Sequence, residues 1–181
     1  MTDITISNII ASFSLGQSLD IQEIAKTIPE AQVNQHETQL LTIQWEDPRI
    51  ACLINADGKT MMTGAQSQED LENGVEHLRA TLEQRNIHVK KSLKPTIKHV
   101  VASTQLHTVL DLKLLQQQLK EGTISYTPES NPWLEYIPNH PNTVILVFAT
   151  GALVACGPSV DDVSQQLQHL ADILMKKKSE E

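Results

Sequence analysis

Two cysteines, seven histidines and a few adjacent carboxylates are the residues of this chain whose chemistry could be catalytic. Their spacing does not assemble them. Cys52 and Cys156 form no C-x-x-C pair, the histidines fall without ligand spacing, and neither H-E-x-x-H nor G-x-S-x-G occurs. Gly58-Lys59-Thr60 ends like a phosphate-binding loop, but that loop needs a glycine where Leu53 stands. Glu69-Asp70 and Asp161-Asp162 open periodic apolar segments, so they read as charges at the positive end of a helix. Nothing in this set argues for an enzyme, and no metal or cofactor is expected.

The remaining polar clusters are equally plain. Lys90, Lys91 and Lys94 sit in a stretch without periodicity and read as a solvated connector, with a phosphate contact as the second reading. Both cysteines fall inside apolar strand patterns, which predicts reduced thiols, buried or half-buried, in a cytoplasmic protein. The opening M-T-D-I-T-I lacks the basic start and apolar block of a signal peptide, and no 18-residue apolar run predicts a membrane span. The formal net charge of −8 counts against a binder that relies on phosphate contacts alone. It does not exclude a neutral or basic groove on an acidic body.

The chain is organised around residues 48–67, P-R-I-A-C-L-I-N-A-D-G-K-T-M-M-T-G-A-Q-S, and around their second appearance at 141–160. Pro48 and Pro141, Gly58 and Gly151, and Gly64 and Gly157 are each 93 positions apart. Upstream, N-I-I-A-S at 8–12 matches H-V-V-A-S at 99–103, and L-D-I at 19–21 matches L-D-L at 110–112. The chain is therefore two copies of one unit, divided as 1–91 and 92–181.

Each copy reads as strand, helix, four strands, helix. In the first, residues 4–12 are a β-branched strand. Asp20 caps a short helix with apolar Ile21, Ile24 and Ile28, ended by Pro29. Strands follow near 32–34 and at 40–45, 50–54 and 59–63, with a loop around 36–39 and a D-G hairpin turn at 56–58. Ser67 caps a helix over 68–85. In the second copy the strands fall at 97–103, 124–126, 133–137, 143–148 and 153–156. The helices fall at 111–120 and 159–175, and 176–181 reads as a polar tail.

This arithmetic has a physical consequence. Two helices with one apolar stripe each can cover only one face of a sheet. A solvated second face would show polar residues at alternate positions. Residues 50–54 and 144–148 are instead apolar at almost every position. A second apolar face of that size implies an occupant.

N-I-I-A-S, L-D-I, D-P, G-K-T-M-M-T-G-A-Q-S and the twofold repeat together resemble the TATA-box-binding protein family in its archaeal core form. The resemblance implies an α+β fold: a twofold pseudo-symmetric saddle of ten antiparallel strands in one curved sheet, with four helices on the convex face. It implies a transcription initiation factor whose concave face binds duplex DNA in the minor groove, nucleoid-associated, with a transcription factor B-type partner. Carried over position by position, the implied contacts are Asn8, Ile10, Ser12, Leu53, Lys59, Met61 and Thr63 in the first copy. In the second they are His99, Val101, Ser103, Leu146, Ala152, Val154 and Cys156, with Phe148 as a wedge between base steps. Phe148 has a competing reading as a core residue.

The departures fall on function. The three other wedge positions read Thr38, Asn55 and Asn131, and two phosphate-reaching arginine positions read Gln44 and Ile137. Trp133, close to Asn131, reads first as a rim or core tryptophan and second as a replacement wedge. The alternative function is a protein-interaction or regulatory module of the same fold, with a peptide, another protein or a second copy (a homodimer) on its open face. A negative open face would favour that alternative, a neutral or positive one DNA.

Overall fold

A computed structural model describes residues 2–34, 39–139 and 142–179. The chain divides into two compact units, Asn8–Lys98 and Met1–Ser7 with His99–Glu181. In chain order the elements of the first repeat are β1 (Thr5–Ser14), α1 (Ile21–Thr27), β2 (Ala31–Asn34), β3 (Leu40–Glu46), β4 (Arg49–Ile54), β5 (Lys59–Ala65) and α2 (Gln68–Glu83). Those of the second are β6 (Thr96–Gln105), α3 (Leu112–Gln118), β7 (Thr123–Ser125), β8 (Trp133–Ile137), β9 (Val144–Phe148), β10 (Ala152–Gly157) and α4 (Val160–Ser179). The expected element order is found in both. The differences are at ends: α2 and α3 stop short of residues 85 and 120, whereas α4 runs on to Ser179, through residues expected as a polar tail. The loop expected around 36–39 and the wedge position Thr38 lie largely outside the described residues, as does Pro141.

The helices start where short polar side chains satisfy free N–H groups. Asp20 accepts from the Glu23 amide at 3.1 Å and Ser67 from Asp70 at 3.0 Å. Asp111 accepts from Leu114 at 3.0 Å and Ser159 from Asp162 at 3.1 Å. Each such cap contributes roughly 1 kcal/mol.

Within Asn8–Lys98 the strand order is β2-β3-β4-β5-β1, and within the other unit it is β6-β10-β9-β8-β7, antiparallel throughout. Strand residues alternate in burial, apart from a break in β5 and another near the start of β6. Leu41, Ile43, Trp45, Ile50, Cys52, Ile54 and Met62 are buried, as are Val100, Ala102, Leu134, Tyr136, Ile145, Val147, Leu153 and Ala155. The helices lie on this face. Leu71, Val75, Leu78 and Leu82 of α2 are buried, Gly74 faces Ile50 and Met62, and the His77 ring meets Trp45 edge-on at 4.7 Å. On α4 the stripe is Val163, Leu167, Leu170, Ala171 and Leu174.

Thr2 and Asp3, ahead of β1, pack with the second repeat. The Thr104 hydroxyl donates to the Asp3 carbonyl at 2.6 Å, and the Thr2 amide donates to Gln168 Oε1 at 3.2 Å. No helix among the described residues is long and apolar enough to cross a membrane.

Among the described residues one buried side-chain polar atom is unmatched. Thr143 is fully buried, its Oγ1 has no hydrogen-bond partner, and a Cβ on Gly157 would lie 2.8 Å from it. An unpaired buried hydroxyl costs stability that an isosteric methyl does not. Thr143→Val is expected to raise unfolding free energy by about 1 kcal/mol. Urea denaturation at constant m-value measures it, and a loss of stability would contradict it.

Candidate nucleic-acid interface

The positions between the buried ones make a second face on each sheet. In Asn8–Lys98 it carries Ile10, Ser12, Leu40, Thr42, Ala51, Leu53, Met61 and Thr63, all half-buried except Met61, which is 48% exposed. Register sets one row across it, from Ser12 to Met61 to Leu53 to Thr42. In the other unit the face carries Val101, Ser103, Trp133, Glu135, Ile137, Val144, Leu146, Phe148, Ala152 and Val154, all half-buried. Its central row runs Ser103, Val154, Leu146, Glu135, Ser125. Every contact position implied by the resemblance lies on one of these two faces. So does Phe148, which is not in the core.

Cys156 departs from the sequence expectation. It is exposed, because it sits on the open parity of β10, while Cys52, on the buried parity of β4, is fully buried. Burial pushes the Cys52 thiol up to about 12.

Asn8 is held by local geometry. Across β1 and β5 the register passes from Ile9↔Ala65 to Ala11↔Met62, so Thr63 and Gly64 together oppose Ile10. This is a β-bulge, and it puts both Met62 and Ala65 on the buried face although their parity differs. Gly64 adopts φ +109, and a Cβ there would meet the Arg49 carbonyl oxygen at 2.4 Å, so only glycine fits. Asn8 closes over the bulge. Its Oδ1 accepts from the Gly64 amide at 2.8 Å, and its Nδ2 donates to Thr63 Oγ1 at 3.0 Å. The Gly64 amide must find an acceptor, which orients the carboxamide and leaves one Nδ2 hydrogen free.

The second repeat has no such device. β6 and β10 pair without a register shift, and the positions matching Asn8 and Thr63 are His99 and Cys156, both exposed. Its distinguishing feature lies across the sheet. Trp133 and Phe148 are direct cross-strand partners, their ring centroids 6.0 Å apart and their planes tilted by 57°. Trp133, the first residue of β8, is thus not a core residue but half of an aromatic pair at one end of the open face. The matching positions of the first repeat are Leu40 and Asn55. Asn55 is turned into its hairpin, where its Oδ1 accepts from the Lys59 amide at 2.9 Å. Asn131 and Gln44 are exposed, and Ile137 is half-buried on the open face.

Charge is segregated. Acidic residues cluster on the outer sides of helices: Glu69, Asp70, Glu72, Glu76 and Glu83 on α2, and Asp161, Asp162 and Asp172 on α4. Among the described residues the open parity of the strands carries two cations, Lys59 and Arg49, and two carboxylates, Glu46 and Glu135, with Glu46 opposite Arg49 at one strand end. The faces are therefore close to neutral on an acidic body, the pattern that favours nucleic acid over a basic partner. The open faces offer apolar area, a few hydrogen-bond donors and two mutually tilted aromatic rings.

A family model described as "Transcription factor TFIID (or TATA-binding protein, TBP)" matches residues 3–85 and again 94–177. The "TATA-box-binding protein" of Pyrobaculum calidifontis is 36% identical over 166 residues, covering 91% of this chain and 82% of that protein. "TATA-box-binding protein 2" of Methanosarcina mazei is 30% identical over 177 residues, covering 93% and 97%. The solved structure of "Methanococcus jannaschii TBP" superposes with a TM-score of 0.83 at 27% identity, covering 96% of this chain and 99% of that one. The fold expected from the sequence, ten antiparallel strands and four helices in two repeats, is the fold of that structure.

The two thiols give a direct check on which face is open. At pH 8 the native protein is expected to react with one equivalent of a thiol reagent, at Cys156. Cys52 becomes reactive only on unfolding or as pH approaches about 12. Peptide mapping of the alkylated protein reads the result, and fast labelling of Cys52 would contradict the assigned faces.

Proposed function

The chain belongs to the TATA-binding protein family, and from that premise we propose that it is a transcription initiation factor, not an enzyme, that binds duplex DNA in the minor groove through its open sheet faces. The observation that carries this reading is the pair of apolar, near-neutral faces left uncovered by the helices. Apolar area against the sugar edges supplies most of the contact, as expected for a protein with few cations on its binding face.

Asn8 offers its free amide hydrogen to the acceptors on A·T edges, adenine N3 and thymine O2. Thr63, bonded to Asn8, holds that donor in place. Ile10, Ser12, Leu53 and Met61 line the groove in the first repeat, and His99, Val101, Ser103, Leu146, Ala152, Val154 and Cys156 in the second. Lys59 reaches a phosphate. Trp133 and Phe148 act together as the wedge, unstacking one base step so that the duplex bends onto the sheet. The first repeat has no aromatic residue at the matching positions Leu40 and Asn55, so this wedge acts from the second repeat alone.

A transcription factor B-type protein is the partner we carry over from the family, and nucleoid association follows from the same reading. A homodimer through the open faces is the competing occupant, and DNA would displace it.

Titration of the pure protein against an A·T-rich duplex at several salt concentrations tests the reading. Binding at low salt that weakens as salt rises is expected, and no binding to any duplex at low salt would overturn it. Lys59→Ala should lower the salt slope by about one while weakening all sequences alike. Trp133→Ala and Phe148→Ala should each cost about tenfold in affinity and reduce the bend seen by end-to-end energy transfer. Because the two rings touch, the double variant should lose less than the two single losses combined.

A further inference from the structure

Glu135 is out of keeping with the face it occupies. It lies on β8 in the central row of the second repeat's open face, with Leu146 beside it on β9 and Ser125 on β7. Trp133 precedes it and Ile137 follows it on the same side of the strand. The residue is half-buried, and among the described residues no hydrogen bond or ion pair reaches its carboxylate. The matching position of the first repeat is Thr42, which can both donate and accept.

An ionised carboxylate only accepts hydrogen bonds. Pressed against an A·T pair in the minor groove it would meet only other acceptors, adenine N3 and thymine O2. It would lose its water and gain nothing, which is an unfavourable exchange. A G·C pair differs there in one group, the guanine N2 amine, which is a donor. That amine is what a minor-groove base edge can offer Glu135.

Resting on the reading of this face as a minor-groove binder, we propose that Glu135 is a specificity-determining residue that accepts a hydrogen bond from a guanine N2 amine. The preferred site then carries a G·C pair at one defined place, under the second repeat, within or beside an A·T-rich element. The preference is one-sided, because Thr42 in the first repeat demands no donor. It lies next to the Trp133–Phe148 pair, so the guanine sits within about two base steps of the kink those rings produce. A basic side chain of a protein partner is the other group that would satisfy the carboxylate.

The experiment walks a single G·C pair through an A·T-rich duplex and measures affinity at each position, for the unaltered chain and for Glu135→Thr. At the best position guanine is then replaced by inosine, which lacks only the N2 amine. The expected result is an optimum at one position that falls about tenfold on inosine substitution, and a Glu135→Thr variant that loses both the optimum and the inosine effect. Three outcomes would overturn the proposal. Indifference to inosine at every position is one. A variant that keeps the guanine preference is another. The third is a variant that binds all duplexes more tightly by one uniform factor, which marks simple repulsion of phosphates. Failure of both proteins to bind any duplex would remove this proposal together with the function it rests on, whereas binding without inosine sensitivity removes this one alone. Glu135→Gln, which carries both donor and acceptor, serves as a second variant and should accept either base pair.

Discussion

A sheet flanked by two helices in each repeat can be sealed on one side only, and the rest of this molecule depends on that constraint. The apolar stripes of α2 and α4 are consumed by Met62, Ile50, Ile145 and their neighbours on the buried parity. The opposite parity keeps Leu53, Met61, Val101, Leu146, Phe148 and Val154, which no helix of their own unit reaches. Leaving such side chains half-exposed forgoes about 25 cal/mol for each Å² of apolar area still in water. A chain that accepts this cost at so many aligned positions recovers it when the face is occupied.

The two repeats spend the same backbone differently. In the first, a bulge at Thr63–Gly64 and the carboxamide of Asn8 make a fixed hydrogen-bond donor. In the second, the ladder runs straight through Gly157, and the polar clamp is absent. What the second repeat has instead, among the described residues of its open face, is a tilted pair of rings and one carboxylate. On the proposed function, one repeat reads acceptors and the other supplies a wedge and reads donors. A pseudo-symmetric scaffold becomes asymmetric in chemistry without any change in strand order.

Overall charge and local charge part company for a related reason. Carboxylates gather near helix N-termini, where the free N–H groups and the macrodipole favour them. They also pair with Arg79 along α2, where Glu76 and Glu83 flank it. Those needs are met on the outer faces of the helices. The open sheet faces are left close to neutral, so a net charge of −8 says little about what they bind.

Much of this was legible from residues alone. The 93-residue offset between paired prolines and glycines established the repeat, and apolar residues on both parities of residues 50–54 and 144–148 established a second greasy face. Periodicity, capping residues and the D-G turn are local properties, so elements and their order followed from them. The equivalence of Gly64 and Gly157 was equally legible, but not their different roles: a positive φ over a carbonyl in one case, contact with Thr143 and Val163 in the other. Nor could residue types place Trp133 against Phe148, show Cys156 exposed, leave Glu135 without a partner among the described residues, or dock Thr2 and Asp3 onto the second repeat. Each of these turns on strand register and on contacts between residues far apart in the chain. Period and propensity are written into neighbouring residues, whereas register is decided only when distant strands meet.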